Sequence, residues 1–205
     1  MTYPNKKIYT LGLCTMGNSS AALFRNGFLV AAVEEERLSR IKNDNNFPHR
    51  SIKEVLSIEG IELSKVNTVA IYWQPWRIIS RGIETTKKLL HSHDTRKSIL
   101  IRVTELFKSS EKNKTGSWSD LFFLKNLLEK EHGRFYGKIK YHDHHSTHQI
   151  YGEILSEWNN CISLSFDGGG ESDSTVLSVI NNNQKKIISK HKWPNSLGHF
   201  YSTFT

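Results

Sequence analysis

A run of strand, small-residue turn, strand, Asn/Gly hairpin and strand occurs twice in this chain, and that repetition constrains the fold more than any other feature. The first copy reads Tyr9-Thr-Leu-Gly-Leu-Cys14, Thr15-Met16-Gly17-Asn18-Ser19-Ser20, Ala21-Ala22-Leu23-Phe24, a turn at Asn26-Gly27, then Phe28-Leu29-Val30-Ala31. The second reads Ile162 to Phe166, Asp167 to Ser172, Thr175 to Ile180, a turn at Asn181-Asn182-Asn183, then Lys186-Ile187-Ile188. Laying Thr15 on Asp167 sets the copies 152 residues apart. Short apolar runs joined by Asn and Gly predict hairpin-linked strands, because those residues accept the positive φ that a tight hairpin demands. Each copy is therefore an antiparallel meander with a small-residue turn after its first strand.

Two such meanders, with their first turns facing each other across a nucleotide phosphate, describe the actin-like ATPase (ribonuclease H-like) fold. The expected class is α/β, with duplicated lobes and mixed sheets carrying helices. Residues 1–158 would form the first lobe and residues 159–205 the start of an incomplete second one. Pro48 to Ile58 carries Ile52, Val55, Leu56 and Ile58 at helical spacing and stops at Gly60, which predicts a short amphipathic helix. Thr68 to Trp73 predicts a buried strand, ended by Pro75. Residues 77–133 change character: apolar residues at helical spacing, with breaks at His91–Asp94 and Ser109–Ser119, predict an insertion of three helices. Lys138–Tyr141 reads as a strand, and His145–Ser156 as a helix with Ile150, Ile154 and Leu155 toward the sheet. Ser196 is a natural N-cap for a final helix. A second lobe that stops there cannot cover its own sheet. The chain is thus expected to be an N-terminal fragment of a longer protein, with strand edges and an apolar face exposed.

Composition excludes several classes. A chain of 205 residues has the length of one ordinary domain or two small ones. No apolar run approaches the roughly 20 residues of a membrane span, and Met1-Thr-Tyr-Pro-Asn-Lys-Lys leads into a strand without a signal-peptide pattern. No membrane partner is expected. Cys14 and Cys161, one in the first strand of each copy, predict small buried core residues and a reducing, cytoplasmic setting. The net charge of +8 concentrates between Arg77 and Lys140, where 15 Lys and Arg face 7 Asp and Glu. These charges are scattered over helical faces with no aromatic–basic motif, so a solvated surface is expected and nucleic-acid binding is not. A homodimer stays open.

Chemistry concentrates in two clusters. His144-His145-Ser146-Thr147-His148 puts His144 and His148 four residues apart, on one face of a helix, where both imidazoles can hold one metal ion. A polar helix start with surface histidines would give the same letters, since His142 and His145 show local enrichment. Asp167-Gly168-Gly169-Gly170 follows a strand. Its glycines let backbone N–H groups approach a phosphate, and Asp167 at the strand end can hold a metal-bound water or accept a hydrogen bond from a substrate hydroxyl. The competing structural explanation is an Asx turn. Trp73 and Trp76 are read as rim or core packing in preference to sugar stacking.

Four blocks resemble the N-terminal part of the O-carbamoyltransferases of the nodulation and antibiotic-biosynthesis type. They are Gly12 to Leu23; Ala32-Val-Glu34-Glu35-Glu36-Arg37-Leu38-Ser39-Arg40-Ile41-Lys42 with Phe47-Pro48; His144 to His148; and Leu164 to Glu171 followed by Pro194 to Ser202. The blocks keep the family's order and span nearly the whole chain. The resemblance implies ATP and a divalent metal, Fe(II) foremost, with Zn or Mg as alternatives. It implies two steps: carbamoyl phosphate and ATP give a carbamoyl-adenylate, and the carbamoyl group then passes to a hydroxyl of a sugar, antibiotic or other natural product. It also implies metal ligands at His144 and His148, joined by a carboxylate from beyond this chain. Basic contacts to the adenylate fall at Lys42 and Lys53. Asp167 becomes the catalytic acceptor-side residue, with Gly168, Gly169, Gly170 and, in the first copy, Thr15 on the nucleotide. Arg37 and Arg40 are left to pair with Glu34–Glu36.

The family's adenylate-forming domain lies C-terminal to this region, so the fragment alone is expected to be inactive. One departure matters. Gly17-Asn18 stands where the family has His-Asp, a candidate general base, and neither residue can take that proton. Two alternatives stay open: a non-catalytic actin-like nucleotide-binding module, and a relative of the tRNA threonylcarbamoyl-transfer enzymes.

Overall fold

The computed structural model describes residues 7–15, 17–77, 118–182, 184–193 and 195–204. They fall into two compact units, one of residues 7–71 and 118–141, the other of residues 72–77 and 142–204. Among the described residues no helix is long and apolar enough to cross a membrane.

In the first unit the expected meander is β1 (Tyr9–Cys14), β2 (Ser20–Arg25) and β3 (Phe28–Glu34). Its strands are antiparallel, β1 and β2 pairing from Tyr9↔Arg25 to Cys14↔Ser20. Asn26 and Gly27 close the β2–β3 hairpin with φ of 53° and 85°, the positive values that a two-residue primed turn requires. Two further strands, β4 (Thr68–Ile71) and β5 (Lys138–Tyr141), run parallel to β1 and extend the sheet to the order β3-β2-β1-β4-β5. This is the mixed α/β architecture expected. Burial along β1 follows the pleat: Tyr9, Leu11 and Leu13 are buried, and the residues between them less so.

Helix α1 (Glu35–Ser39) leads to α2 (His49–Glu59), which buries Ile52, Val55 and Leu56 against β2 and β3. Each such side chain contributes about 1.5–3 kcal/mol. Gly60, at φ 68°, ends the helix by donating its N–H to the carbonyls of Leu56 and Ser57. The start of α2 is unusual, because Pro48 at the cap position offers no side-chain acceptor. Buried Glu35 takes that role from outside: its carboxylate accepts from Arg50 N, Ser51 N and Ser51 Oγ at 3.1, 2.8 and 2.8 Å. Arg37 pairs with Glu34 and Glu36 as expected, and Glu36 accepts the amide of Asn43. Arg40 sits in the left-handed conformation that ends α1. The acidic–basic block is thus largely scaffold.

Of the three expected insertion helices, the first two fall on residues 78–117, outside the described residues. The third is a 3₁₀ turn (Trp118–Phe123) running into α3 (Leu124–His132), with Leu121, Leu124 and Leu128 buried.

The second unit carries the second meander, β6 (Asn160–Phe166), β7 (Asp173–Asn181) and β8 (Gln184–Lys192), all antiparallel. Helix α4 (His144–Ser156), assigned above to the first lobe, packs on β6 and β7. Helix α5 (Leu197–Phe204) closes the chain, capped as expected by Ser196, whose Oγ accepts from His199 N at 3.0 Å.

Two expectations fail in this unit. Ile150, Ile154 and Leu155 do not face the sheet; all three are exposed. The inner face of α4 is polar and carries His144, His145 and Gln149. Gln149 Nε2 donates to Ser163 O and Val176 O at 3.1 and 2.9 Å, and its Oε1 accepts from Ser178 Oγ at 3.1 Å. Buried amide bonds of this kind set the helix rotation, because breaking them would strand polar groups without water. Strand β6 answers with its small residues Cys161, Ser163 and Ser165 on that side, while Ile162, Leu164 and Phe166 are 71%, 52% and 58% exposed. Cys161 is therefore half-buried, not a core residue. Cys14 is half-buried too, since it falls out of phase with Tyr9, Leu11 and Leu13 on β1.

Candidate functional site

The site in the second unit is built from the start of α4. Asp143 has extended backbone and caps the helix, its carboxylate accepting from Ser146 N and Ser146 Oγ at 2.9 Å each. Arg77 pairs with the same carboxylate at 2.5 Å. This cap sets the helix phase, which brings the two imidazoles one turn apart to the turn between β6 and β7. There His144 Nε2 lies 2.7 Å from Asp167 Oδ2. His148 Nε2 lies 3.1 Å from His144 Nε2 and 3.7 Å from Asp167 Oδ2. One ligand atom from each of the three residues fits within 4.8 Å of the other two.

Packing holds the triad from several sides. The His144 ring stacks on Trp73, with centroids 4.6 Å apart and planes at 27°, so Trp73 is packing, as read from the sequence. His145 is buried, its Nδ1 3.1 Å from Ser165 Oγ and its Nε2 2.9 Å from Asp173 O. Burial holds its pKa below the ordinary value, so the ring is neutral. Gly170 is required by close approach: a Cβ there would stand 2.9 Å from Asp173 O, and 3.1 and 3.3 Å from the Cδ2 atoms of His145 and His144. The amides of Gly168 and Gly170 are engaged within the turn, with Asp167 Oδ1 at 2.5 Å and Asp173 O at 2.9 Å. Gly169 lies between them in the same turn. Ser196 Oγ donates to Asp167 O at 2.6 Å, and a Cβ on Gly198 would meet Asp167 C at 2.5 Å. The start of α5 is thereby fastened to the turn.

The charge state of the triad follows. The hydrogen bond from His144, first of all, and the nearby His148 ring hold the Asp167 carboxyl far below the usual carboxylate range. A carboxylate so committed is a weak proton acceptor at neutral pH and a good ligand. The structure therefore joins Asp167 to the histidine pair, a grouping not drawn from the sequence. His144 Nδ1 is buried without a hydrogen-bond partner among the described residues. Three ligand-type atoms converge here, which is the arrangement a cation completes. Two imidazoles and one carboxylate form a donor set that suits Fe(II) and Zn(II). Bonds of about 2.0–2.2 Å place adjacent ligand atoms roughly 3 Å apart, within the 2.7–3.7 Å span found here.

The remaining sequence-derived residues, Thr15, Lys42 and Lys53, belong to the first unit. Thr15 Oγ1 and Ser19 Oγ are buried and lack hydrogen-bond partners among the described residues. Between them Gly17 and Asn18 take successive positive φ values of 62° and 53°. Lys42 and Lys53 are exposed. Sequence reasoning missed His145 and Glu171, although Glu171 lies inside the Asp-Gly-Gly-Gly-Glu motif it quoted.

Comparison with known proteins gives a consistent pattern. A family model described as "Carbamoyltransferase N-terminus" matches residues 9–205. The nodulation protein NolNO of Sinorhizobium fredii is 28% identical over 188 residues, covering 91% of this chain and 24% of that protein. The uncharacterized protein sll1178 of Synechocystis sp. is 30% identical over 196 residues, covering 92% of this chain and 30% of that protein. The chain thus spans under a third of the length of these relatives. Among solved structures, YeaZ from Pseudomonas aeruginosa is similar over 92% of this chain and 68% of its own, at 10% identity and a TM-score of 0.45.

Proposed function

The chain belongs to the carbamoyltransferase N-terminal family, and from that premise we propose that it supplies the metal-binding and nucleotide-phosphate-binding part of an ATP-dependent O-carbamoyltransferase. The substrates on this reading are carbamoyl phosphate, ATP and a hydroxyl-bearing acceptor, linked through a carbamoyl-adenylate. The observation that carries it is the convergence of His144, His148 and Asp167 at the turn that the family motif occupies. These three residues would hold the metal, which when bound supplies Lewis-acid neutralisation of phosphoryl charge.

The chain's own groups divide the remaining work. Thr15 and Ser19 present buried hydroxyls without a hydrogen-bond partner among the described residues, suited to the oxygens of an anion. Lys42 and Lys53 extend from the same unit into solvent and supply charge-assisted contacts to a phosphate. The Asp167–Gly170 turn would meet nucleotide phosphate through the metal that Asp167 helps to hold, since the amides of Gly168 and Gly170 are engaged within the turn.

Metal content tests the reading directly. The wild-type chain is expected to carry a stoichiometric transition metal by mass spectrometry, and the double variant His144→Ala/His148→Ala to lose it. Equal metal in both proteins would remove the assignment. The pair Gly17-Asn18 favours a second reading, binding of nucleotide without transfer, because no proton acceptor stands at that turn. Labelled carbamoyl phosphate supplied to the longer protein separates the two: label on a hydroxyl product supports transfer, and nucleotide binding without label supports the module.

A further inference from the structure

We propose that Glu171 is the positioning residue of this centre, fixing the His144 ring by holding both the start of α4 and the strap that carries Trp73. The proposal deepens the metal reading above and rests on it for one arm of its test.

Glu171 is 1% exposed. Its Oε1 accepts the amide of Gln74 at 2.8 Å and its Oε2 accepts the amide of His144 at 3.3 Å. Gln74 adjoins Trp73, whose indole stacks on the His144 ring. One carboxylate therefore ties down the backbone beneath the imidazole and the segment bearing the aromatic plate beside it. Gly170, the residue before Glu171, closes the third side, since a Cβ there would stand 3.3 Å from His144 Cδ2. The carboxylate bonds backbone amides and acts on the centre through His144. A buried carboxylate is costly to keep unless its acceptors are used, and here two separate chain segments use them.

Gln is the informative replacement. A carboxylate offers two acceptor oxygens, whereas an amide offers one and turns an N–H group on the other backbone donor. Glu171→Gln thus keeps the volume while breaking one of the two ties. The probe is Co(II) titrated into the 205-residue chain and followed by its visible absorption. Glu171→Gln is expected to weaken Co(II) binding roughly 10- to 100-fold, the usual range for a group that orients a ligand, and to shift the absorption bands. Ile180→Ala, a buried position on β7 outside the centre, is expected to lower the melting temperature while leaving Co(II) affinity and bands unchanged.

A second arm needs no metal. In ¹⁵N-histidine spectra of the metal-free chain, Glu171→Gln is expected to move the His144 ring signals, and Ile180→Ala is not. Wild-type Co(II) affinity together with unmoved His144 signals in Glu171→Gln would overturn the proposal. Should the wild-type chain take up no Co(II), the metal reading fails, and the His144 signals alone decide the role of Glu171.

Discussion

The two meanders start from the same pattern and end in different environments. In the first, β1 is flanked by β2 and β4, and its apolar side chains are buried. In the second, β6 pairs only with β7 among the described residues, and its apolar side chains Ile162, Leu164 and Phe166 are exposed. Their turns differ in the opposite sense. Among the described residues the first turn leaves two buried hydroxyls unpartnered, whereas the second engages the carboxylate of Asp167 and the amides of Gly168 and Gly170. An alternating strand pattern therefore specifies a pleat but not which face is inside. That choice belongs to the neighbouring elements: α2 brings Ile52, Val55 and Leu56 to the first sheet, and α4 brings Gln149 and the histidines to the second.

The largest effects should appear where the strands differ most. Leu11→Ala, at a fully buried position, is expected to cost about 2–5 kcal/mol, while Leu164→Ala on β6 is expected to change stability by less than about 0.5 kcal/mol. Urea unfolding measures both, and equal losses would erase the contrast. The turns come next. Gly170→Ala forces a methyl against two imidazoles, so it should cost about 1–3 kcal/mol and abolish metal uptake. Gly17→Ala meets open space but must keep φ at 62°, which costs roughly 1–2 kcal/mol and should spare the metal. Metal content and melting temperature, measured together, distinguish these outcomes.

The smallest effect is a pH slope. His49 Nδ1 and His132 Nε2, from α2 and α3, lie 3.1 Å apart. Burial, first of all, holds both pKa values below 6.5; the His49 ring and Lys53 lower His132 further and Lys130 lowers His49, while Glu131 and Glu35 oppose the shift at both. A depressed histidine contributes stability that is complete above the unfolded value and is lost as pH falls below it. Local opening of α2 and α3, read by hydrogen exchange, should therefore rise as pH falls below about 6.5, and His132→Gln should flatten that slope. Helix α4 keeps an acid sensitivity of its own through His145. Asp167 does not contribute in this window, because the stabilisation from a depressed carboxylate is complete above its unfolded value of about 4 and is lost only as pH falls below that.

What was legible in the chain follows the same division. Hairpins announced themselves through Asn26-Gly27, and helix α2 through its period and Gly60, because these signals are local. The pair His144 and His148 was visible because helical spacing alone brings the two rings together. Its third member was not visible as such, since only tertiary contact carries Asp167 to the histidines. The orientation of α4 was misread for a related reason. Ile150, Ile154 and Leu155 look like a buried stripe, but Gln149 outweighs them through three hydrogen bonds to strand groups that no local pattern reveals. Glu171 went unassigned because an acidic residue beside glycines reads as turn chemistry until its two backbone partners are seen.

The borrowed cap on α2 bears on how the first unit assembles. With 11 residues, α2 is shorter than a helix that persists alone in water, and it owns no acceptor for its first amides. Glu35 reaches it only once the chain leaving β3 has turned into α1. Hairpin and helix are then partners in one cooperative step, and a fault at the end of β3 would be felt first as a helix that fails to start.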